Sequence, residues 1–108
     1  MSKVALVTGG TRGIGASISK RLKKSKYKVI ANYANNDDSA NQFKDENQID
    51  VMKWDVSSFD ECKNCIDKIY NEHKTIDVLV NNAGITRDAP LHKMDQEKWH
   101  KVINVNLN

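Results

Sequence analysis

Short apolar runs alternate with helical patterns along the whole chain, and this alternation constrains the fold more than any other feature. The apolar runs predict strands at Val4 to Val7, Lys28 to Tyr33, Asp50 to Trp54 and Ile76 to Val80. The patterns between them predict helices at Ile14 to Lys24, Asp37 to Glu46 and Phe59 to His73, and a last helix that starts near Asp95. Strands that alternate with helices form parallel sheets through right-handed crossovers. The sequence therefore predicts an α/β fold, a Rossmann-type doubly wound parallel sheet with about four strands in the order 3-2-1-4.

The last helical pattern carries Trp99, Val102 and Ile103, and no glycine, proline or cap closes it before Asn108. A doubly wound sheet with both nucleotide-binding halves needs more strands than these. We therefore expect residues 1–108 to be the N-terminal dinucleotide-binding part of a single longer domain, truncated in the helix after the fourth strand. The alternative is a chain that ends at Asn108, a remnant that at most binds a dinucleotide.

Composition is typical of a folded protein, with 39% hydrophobic and 29% charged residues. No apolar run approaches the roughly 20 residues of a membrane span, and the amino terminus lacks the layout of a signal peptide. These features predict a cytoplasmic protein without a membrane partner. Much of the net charge of +3 lies in residues 20–28, which fit the solvated last turn of a helix better than a nucleic-acid patch. We expect neither a nucleic-acid partner nor a bound metal.

The two cysteines form a C-x-x-C pair, which in some α/β proteins is a thioredoxin-like redox motif. Such a motif needs its first cysteine at a helix N-terminus, where the thiolate is stabilised. Here Ser58 is predicted to cap the helix, with Glu61 completing a capping box, so Cys62 lies beyond that position. Because Cys62 and Cys65 share one helical face with isoleucines, we interpret both as small core residues.

A glycine-rich stretch, "LVTGGTRGIG", follows the first strand and opens the first helix. Gly9, Gly13 and Gly15 are spaced as G-x-x-x-G-x-G, which differs from the common G-x-G-x-x-G. Glycines allow unusual backbone angles and let the main chain approach a pyrophosphate at a helix N-terminus. An ordinary strand-to-helix turn is the alternative, and the position inside a βαβ unit favours a dinucleotide site.

The choice of dinucleotide depends on the end of the second strand. An acidic residue there would bind the 2′-hydroxyl of NAD, but residues 31–33 carry none. Arg12, in the glycine-rich stretch, supplies a planar cation that suits a phosphate. The two features together predict NADP as the cofactor.

A second motif, "VLVNNAG", ends the fourth strand. If the strand order is 3-2-1-4, the first and fourth strands flank the crevice where ligands bind in such sheets. Small residues there let the backbone lie against a flat ligand, and an asparagine side chain can tie the loops together. Ordinary turn chemistry is the alternative interpretation of the two asparagines.

The motifs "TGGTRGIG" and "NNAG", together with "WDVSS", resemble the short-chain dehydrogenase/reductase family over the whole chain. Within that family "ITRDAPLHKM", "VIANYANND" and "KWDVSS" are similar to acetoacetyl-CoA reductases of polyhydroxybutyrate synthesis, and "NNAGITRD" also to 3-oxoacyl-acyl-carrier-protein reductases. The resemblance implies that NADPH reduces a 3-oxoacyl thioester, acetoacetyl-CoA to 3-hydroxybutanoyl-CoA, with a 3-oxoacyl carrier protein as the alternative substrate. It also implies a homotetramer of the full-length form.

The resemblance assigns cofactor roles to four groups of positions. Those along the pyrophosphate and 2′-phosphate are Gly9, Arg12, Gly13, Ile14 and Gly15. Those near the adenosine ribose are Asn32 and Tyr33, and those that flank the adenine are Trp54, Asp55, Val56 and Ser57. Those along the ribose and nicotinamide are Asn82, Ala83, Gly84, Ile85 and Thr86.

The resemblance places Asp88 where the thioester enters and Asn106 at the proton-relay water. The family protonates the alkoxide with a Tyr that a Lys four residues later activates, beside a Ser. Only Tyr70 has a lysine at that spacing, and it lies before the fourth strand, so the match is interpreted as coincidence. The catalytic Ser, Tyr and Lys are therefore expected past Asn108, and residues 1–108 alone are expected to be inactive.

Overall fold

The computed structural model describes residues 3–82 and 99–104. In this part of the chain five strands form one parallel sheet, in the order β3-β2-β1-β4-β5. In chain order the elements are β1 (Val4–Val7), α1 (Gly13–Lys24), β2 (Lys28–Tyr33), α2 (Asp37–Asn47), β3 (Asp50–Lys53), α3 (Phe59–His73), β4 (Ile76–Asn81) and β5 (Trp99–Asn104). The predicted α/β class and the order 3-2-1-4 of the first four strands are confirmed. The predicted bounds of these strands and of the three helices between them match or differ by one residue.

Both faces of the sheet are buried, and β1 lies at its centre with no residue more than 2% exposed. The core cluster on the α3 face includes Leu6, Ile30, Trp54, Cys62, Ile66 and Leu79. The cluster on the opposite face, under α1 and α2, includes Val7, Ala16, Ala31, Phe43, Val78 and Val80. A strand that buries both faces has no polar alternation, which explains why β1 is continuously apolar.

The segment Trp99–Asn104 is a strand, so the prediction of a helix over these residues is wrong. It pairs in parallel with β4, from Ile76 opposite Trp99 to Asn81 opposite Asn104. The spacing that suggested a helix involves aromatic and β-branched residues, which also favour strands. An unpaired β4 would leave a row of backbone donors and acceptors at the sheet edge, and β5 satisfies them.

The two cysteines belong to the packing of α3, as predicted. Cys62 is fully buried, and the half-buried Cys65 packs against the same cluster. Burial raises the pKa of both thiols, which disfavours the thiolate that a redox pair needs.

Ser58 caps α3, since its hydroxyl accepts a hydrogen bond from the backbone N–H of Glu61 at 3.3 Å. The predicted capping box is only half formed. The Glu61 carboxylate accepts from the N–H of Asp55 at 3.3 Å, and the Ser58 N–H bonds to the Asp55 carbonyl instead. The start of α3 is thus tied to the loop that follows β3.

No helix in residues 3–82 is long and apolar enough to cross a membrane.

The Ser58 cap gives a first testable prediction. Ser58→Ala leaves an N–H of the first turn of α3 without its acceptor and should lower the free energy of unfolding by about 1 kcal/mol. For a domain of this size that corresponds to a fall in Tm of about 4–8 °C, measurable by circular dichroism. Ser58→Asp retains an acceptor and should keep Tm close to that of the unmodified chain; an equal loss in both variants would contradict the capping role.

Candidate functional site

The carboxyl ends of β1 and β4 lie side by side at one edge of the sheet. Val7 is in register with Val80, and the Thr8 N–H donates to the Val80 carbonyl at 3.0 Å. The loop that follows β1, Thr8 to Arg12, is called the glycine turn below. Residues after both strands therefore meet at this edge, where parallel α/β sheets bind their ligands.

The amino end of α1 lies directly against the glycine turn because Gly15 has no side chain. A Cβ at Gly15 would overlap the Gly9 carbonyl oxygen and would come within 2.6 Å of Asn82 Nδ2. Gly9 and Gly13 have φ angles of 59° and 60°, in the left-handed region expected from the sequence. The structure therefore explains all three glycines of the motif: Gly9 and Gly13 by their backbone angles, and Gly15 by its close packing.

Gly10 is a further glycine of this turn that the spacing argument did not use. A Cβ there would lie 2.8 Å from the Val7 carbonyl oxygen and 2.9 Å from both Ala31 Cβ and Ser19 Oγ. The Ser19 hydroxyl donates to the Gly10 carbonyl at 2.9 Å, so α1 is fastened to the turn at this point. In the sequence, the only sign of this close packing at Gly10 is that two glycines stand side by side in "TGG".

Asn32 lies beneath the glycine turn and is only 2% exposed. Its side-chain oxygen accepts from the Gly9 N–H at 3.1 Å, and its side-chain nitrogen donates to the Trp54 carbonyl at 3.0 Å. Its backbone carbonyl accepts from Gly10 at 2.9 Å. The resemblance placed Asn32 near the ribose, but both groups of its amide are bonded within the protein. The structure thus gives this residue the role of a brace across the ends of β1, β2 and β3.

Asn82 ties the end of β4 to the glycine turn, as the sequence argument expected of an asparagine in this motif. Its N–H donates to the Thr8 hydroxyl at 2.8 Å, and its Nδ2 donates to the Gly9 carbonyl at 3.3 Å. Its side-chain oxygen is buried and has no hydrogen-bond partner within the described ranges 3–82 and 99–104. A buried acceptor without a partner is rare, and this one belongs to a side chain that lies beside the glycine turn and Gly15.

The amino end of α1 differs from those of α2 and α3. Arg12 is its N-cap but makes no side-chain cap, and the first turn carries no acid. The other two helices have capping side chains, Asn36 and Ser58, and two acidic residues in their first turns. The first backbone bond of α1 runs from Ala16 to Arg12, so the three preceding N–H groups have no intrahelical acceptor. These donors and the helix dipole favour an anion at this point.

A carboxylate that the sequence argument overlooked lies just beyond β2. The Tyr33 hydroxyl donates to Asp37 Oδ1 at 3.0 Å, and Lys53 Nζ lies 3.3 Å from Oδ1 and 3.4 Å from Oδ2. The hydrogen bond from Tyr33 and the ammonium of Lys53 lower the pKa of Asp37, whereas burial and Asp37 raise the pKa of Tyr33. Asp37 lies outside residues 31–33, on which the prediction of NADP rests, and the start of α2 brings it back to Tyr33.

The loop after β3 presents two exposed polar residues. Asp55 Oδ1 accepts from the N–H of Ser57 at 2.9 Å and from its hydroxyl at 2.7 Å, and these bonds lower the pKa of the carboxyl group. Trp54 and Val56 are buried in the core instead, and the Cys62 thiol donates to the Val56 carbonyl at 3.3 Å. Of the four positions assigned to adenine, only Asp55 and Ser57 have side chains open to a ligand.

Six of the assigned positions lie outside the described residues and stay predictions. They are Ala83, Gly84, Ile85, Thr86, Asp88 and Asn106.

Gly15→Ala tests the close approach of α1 to the glycine turn. The new methyl group must push the helix start away from the Gly9 carbonyl, and overpacking of this kind costs about 1–3 kcal/mol. The loss should appear as a lower midpoint in urea unfolding. Ser17→Ala, at an exposed position two residues further on, is the matched control and should leave the free energy of unfolding within about 0.5 kcal/mol of that of the unmodified chain. Equal stability of the two variants would refute the close packing.

Asn32→Leu tests the brace beneath the turn. The substitution keeps the volume but leaves the Gly9 N–H and the Trp54 carbonyl without partners, at about 1–3 kcal/mol for each buried group. Urea unfolding should therefore show a loss of several kcal/mol. Gln42→Leu removes an exposed side-chain bond to Glu46 and should be nearly neutral. A near-neutral Asn32→Leu would show that the two bonds do not contribute.

Comparisons with known proteins agree with this geometry. The family described as short chain dehydrogenase matches residues 3–108. The acetoacetyl-CoA reductase of Shinella zoogloeoides is 60% identical over 107 residues, and a 3-oxoacyl-[acyl-carrier-protein] reductase of Staphylococcus epidermidis is 40% identical over 112. Each alignment covers 99% of this chain but only 44% and 46% of the relative, so the chain spans less than half the length of these curated relatives.

A solved structure shows the same arrangement of elements. A variant of the actinorhodin polyketide ketoreductase, crystallised with NADPH, superposes with a TM-score of 0.71 at 32% sequence identity. The superposition covers 89% of this chain and 38% of the ketoreductase. The match to the family profile over nearly the whole chain, the parallel sheet and the glycine turn lead to one conclusion: this chain belongs to the short-chain dehydrogenase family.

Proposed function

We propose that residues 1–108 form the dinucleotide-binding part of a reductase that uses NADPH to reduce a 3-oxoacyl thioester. The observation that carries the proposal is the uncapped amino end of α1, held against the glycine turn with Arg12 exposed beside it. Free backbone donors, a helix dipole and a guanidinium at one point suit the phosphates of a dinucleotide. Membership of the short-chain dehydrogenase family supports the interpretation of this site as part of an oxidoreductase.

The described residues fit NADP. The N–H groups at the start of α1, from Gly13 to Gly15, would hold the pyrophosphate, and Arg12 would meet the 2′-phosphate. Asp55 and Ser57 lie at the end of β3, where the adenine is expected. The buried Asn82 oxygen supplies an acceptor that no group in the described ranges uses, and it suits a ligand hydroxyl or amide. Ala83, Gly84, Ile85 and Thr86 would continue along the nicotinamide side.

When bound, NADPH supplies the hydride that converts a keto carbon into an alcohol. The chain's own residues orient the dinucleotide, and the brace of Asn32 keeps the turn in place beneath it. The alkoxide oxygen needs a proton, which the family takes from a Tyr activated by a Lys. Asn106 would support the water that refills this proton relay, and Asp88 would line the path of the thioester.

Acetoacetyl-CoA is the proposed substrate, because identity to the acetoacetyl-CoA reductase reaches 60% against 40% for the carrier-protein reductase. A protein that carries these residues with the catalytic Ser, Tyr and Lys should oxidise NADPH in the presence of acetoacetyl-CoA. Residues 1–108 alone should bind NADPH without turnover. Oxidation with a 3-oxoacyl carrier protein but not with acetoacetyl-CoA would favour the alternative substrate. Loss of NADPH binding would leave only the remnant interpretation.

Arg12→Ala tests the assignment of NADP. Loss of a charge-assisted, bidentate contact to a phosphate should raise the Kd for NADPH about 10- to 100-fold. The Kd for NADH should change little, since NADH has no 2′-phosphate. Fluorescence titration of both dinucleotides measures the two constants. Arg21→Ala removes an exposed arginine from the last turn of α1, about 14 Å along the helix, and should leave both unchanged. An equal effect of Arg12→Ala on NADPH and NADH would refute the assignment.

A further inference from the structure

The ion pair beyond β2 bears on cofactor choice. We propose that Lys53, by pairing with Asp37, adapts this site to a dinucleotide with a 2′-phosphate, so that Lys53 determines specificity although it follows neither β1 nor β2. The inference rests on the proposed function and names a determinant of it that Arg12 does not cover. It is carried by the geometry of Tyr33, Asp37 and Lys53.

The three residues lie on the Arg12 side of the sheet. Tyr33 and Lys53 are register partners at the carboxyl ends of β2 and β3. Side chains two residues apart share a face, so Tyr33 lies on the face of Ala31, which packs under α1 and α2. Asp37 starts α2 on that face, and Arg12 precedes α1. The cluster thus borders the end of β2, where the adenosine ribose binds in dinucleotide folds.

An unpaired carboxylate at this place would select against a 2′-phosphate. It would accept hydrogen bonds from a 2′-hydroxyl and repel a phosphate. Both oxygens of Asp37 are instead engaged, Oδ1 by the Tyr33 hydroxyl at 3.0 Å and both by the ammonium at 3.3 and 3.4 Å. Lys53 offsets the charge of a carboxylate that stays ionised, since the same contacts lower its pKa.

The pair contributes little to folding, which makes the inference testable. The Lys53 and Asp37 side chains are 53% and 57% exposed, and exposed pairs of this kind stabilise proteins only weakly. Removal of Lys53 should therefore leave Tm nearly unchanged. The net charge of this cluster would become more negative by one unit, because Asp37 would lose its counterion. A 2′-phosphate bound nearby would then be repelled more strongly.

The experiment compares Kd values for NADPH and NADH by fluorescence titration of the chain at low ionic strength. Lys53→Met should lower the preference for NADPH by about three- to tenfold, and Asp37→Asn should raise it. The double variant Lys53→Met with Asp37→Asn should return close to the original preference, and Lys53→Arg should preserve it. The differences should shrink at high salt, which a purely structural role would not produce.

Lys28→Met is the matched control. Lys28 pairs with Asp50 at 2.7 Å on the same two strands but at their opposite end, about 16 Å from Tyr33. The variant has the same change of charge and should leave the preference unaltered. An unchanged preference in Lys53→Met, with NADPH still bound, would overturn this inference alone. Absence of saturable NADPH binding by the unmodified chain would overturn the proposed function with it.

Discussion

The close approach of α1 to the loop after β1 is the contact on which the rest of the site depends. It exists because Gly15 leaves room for the Gly9 carbonyl, where any side chain would collide. The helix can therefore start at the sheet edge and direct its unpaired N–H groups across the carboxyl ends of the strands. The Asn82 side-chain amide donates to the same Gly9 carbonyl. A shift of the helix start by the width of a methyl group would therefore also move these N–H groups away from Asn82.

Hydrogen bonds with two asparagine side chains hold the loop that forms this contact. Asn32 joins the loop to β3, and Asn82 joins it to β4, so polar side chains do at the strand ends what backbone ladders do within the sheet. In a buried place such bonds cost little when all groups are paired and much when one is left alone. The exception is the Asn82 oxygen, which has no partner in the part of the chain that the structure describes. Its position beside the helix start fits a site that a ligand completes.

Most of the fold could be predicted from local sequence patterns. The continuous apolar run of β1 and the capped, amphipathic α3 are recorded in consecutive residues, and both were predicted at their observed bounds. The stretch around Val102 and Ile103 was assigned wrongly, because its spacing fits a helix or a strand and the decision depends on the distant edge of β4. The site was predictable to the same extent. Gly15 follows from a motif, whereas the brace of Asn32 depends on contacts 22 or more residues away.

The two carboxylates at the carboxyl edge of the sheet also differ in whether their partners are near or distant in the sequence. Asp55 is engaged by Ser57 two residues away, but Asp37 is engaged by Lys53 from another strand. The ammonium of Lys53 therefore pairs the charge of Asp37, whereas Asp55 keeps its charge and accepts two hydrogen bonds from Ser57. Arg12 makes no ion pair or hydrogen bond to residues 3–82 or 99–104 through its side chain, and it is exposed beside the open end of α1. The exposed guanidinium of Arg12 and the open end of α1 together attract a ligand with several phosphates, and the number of such phosphates then decides which dinucleotide binds more tightly.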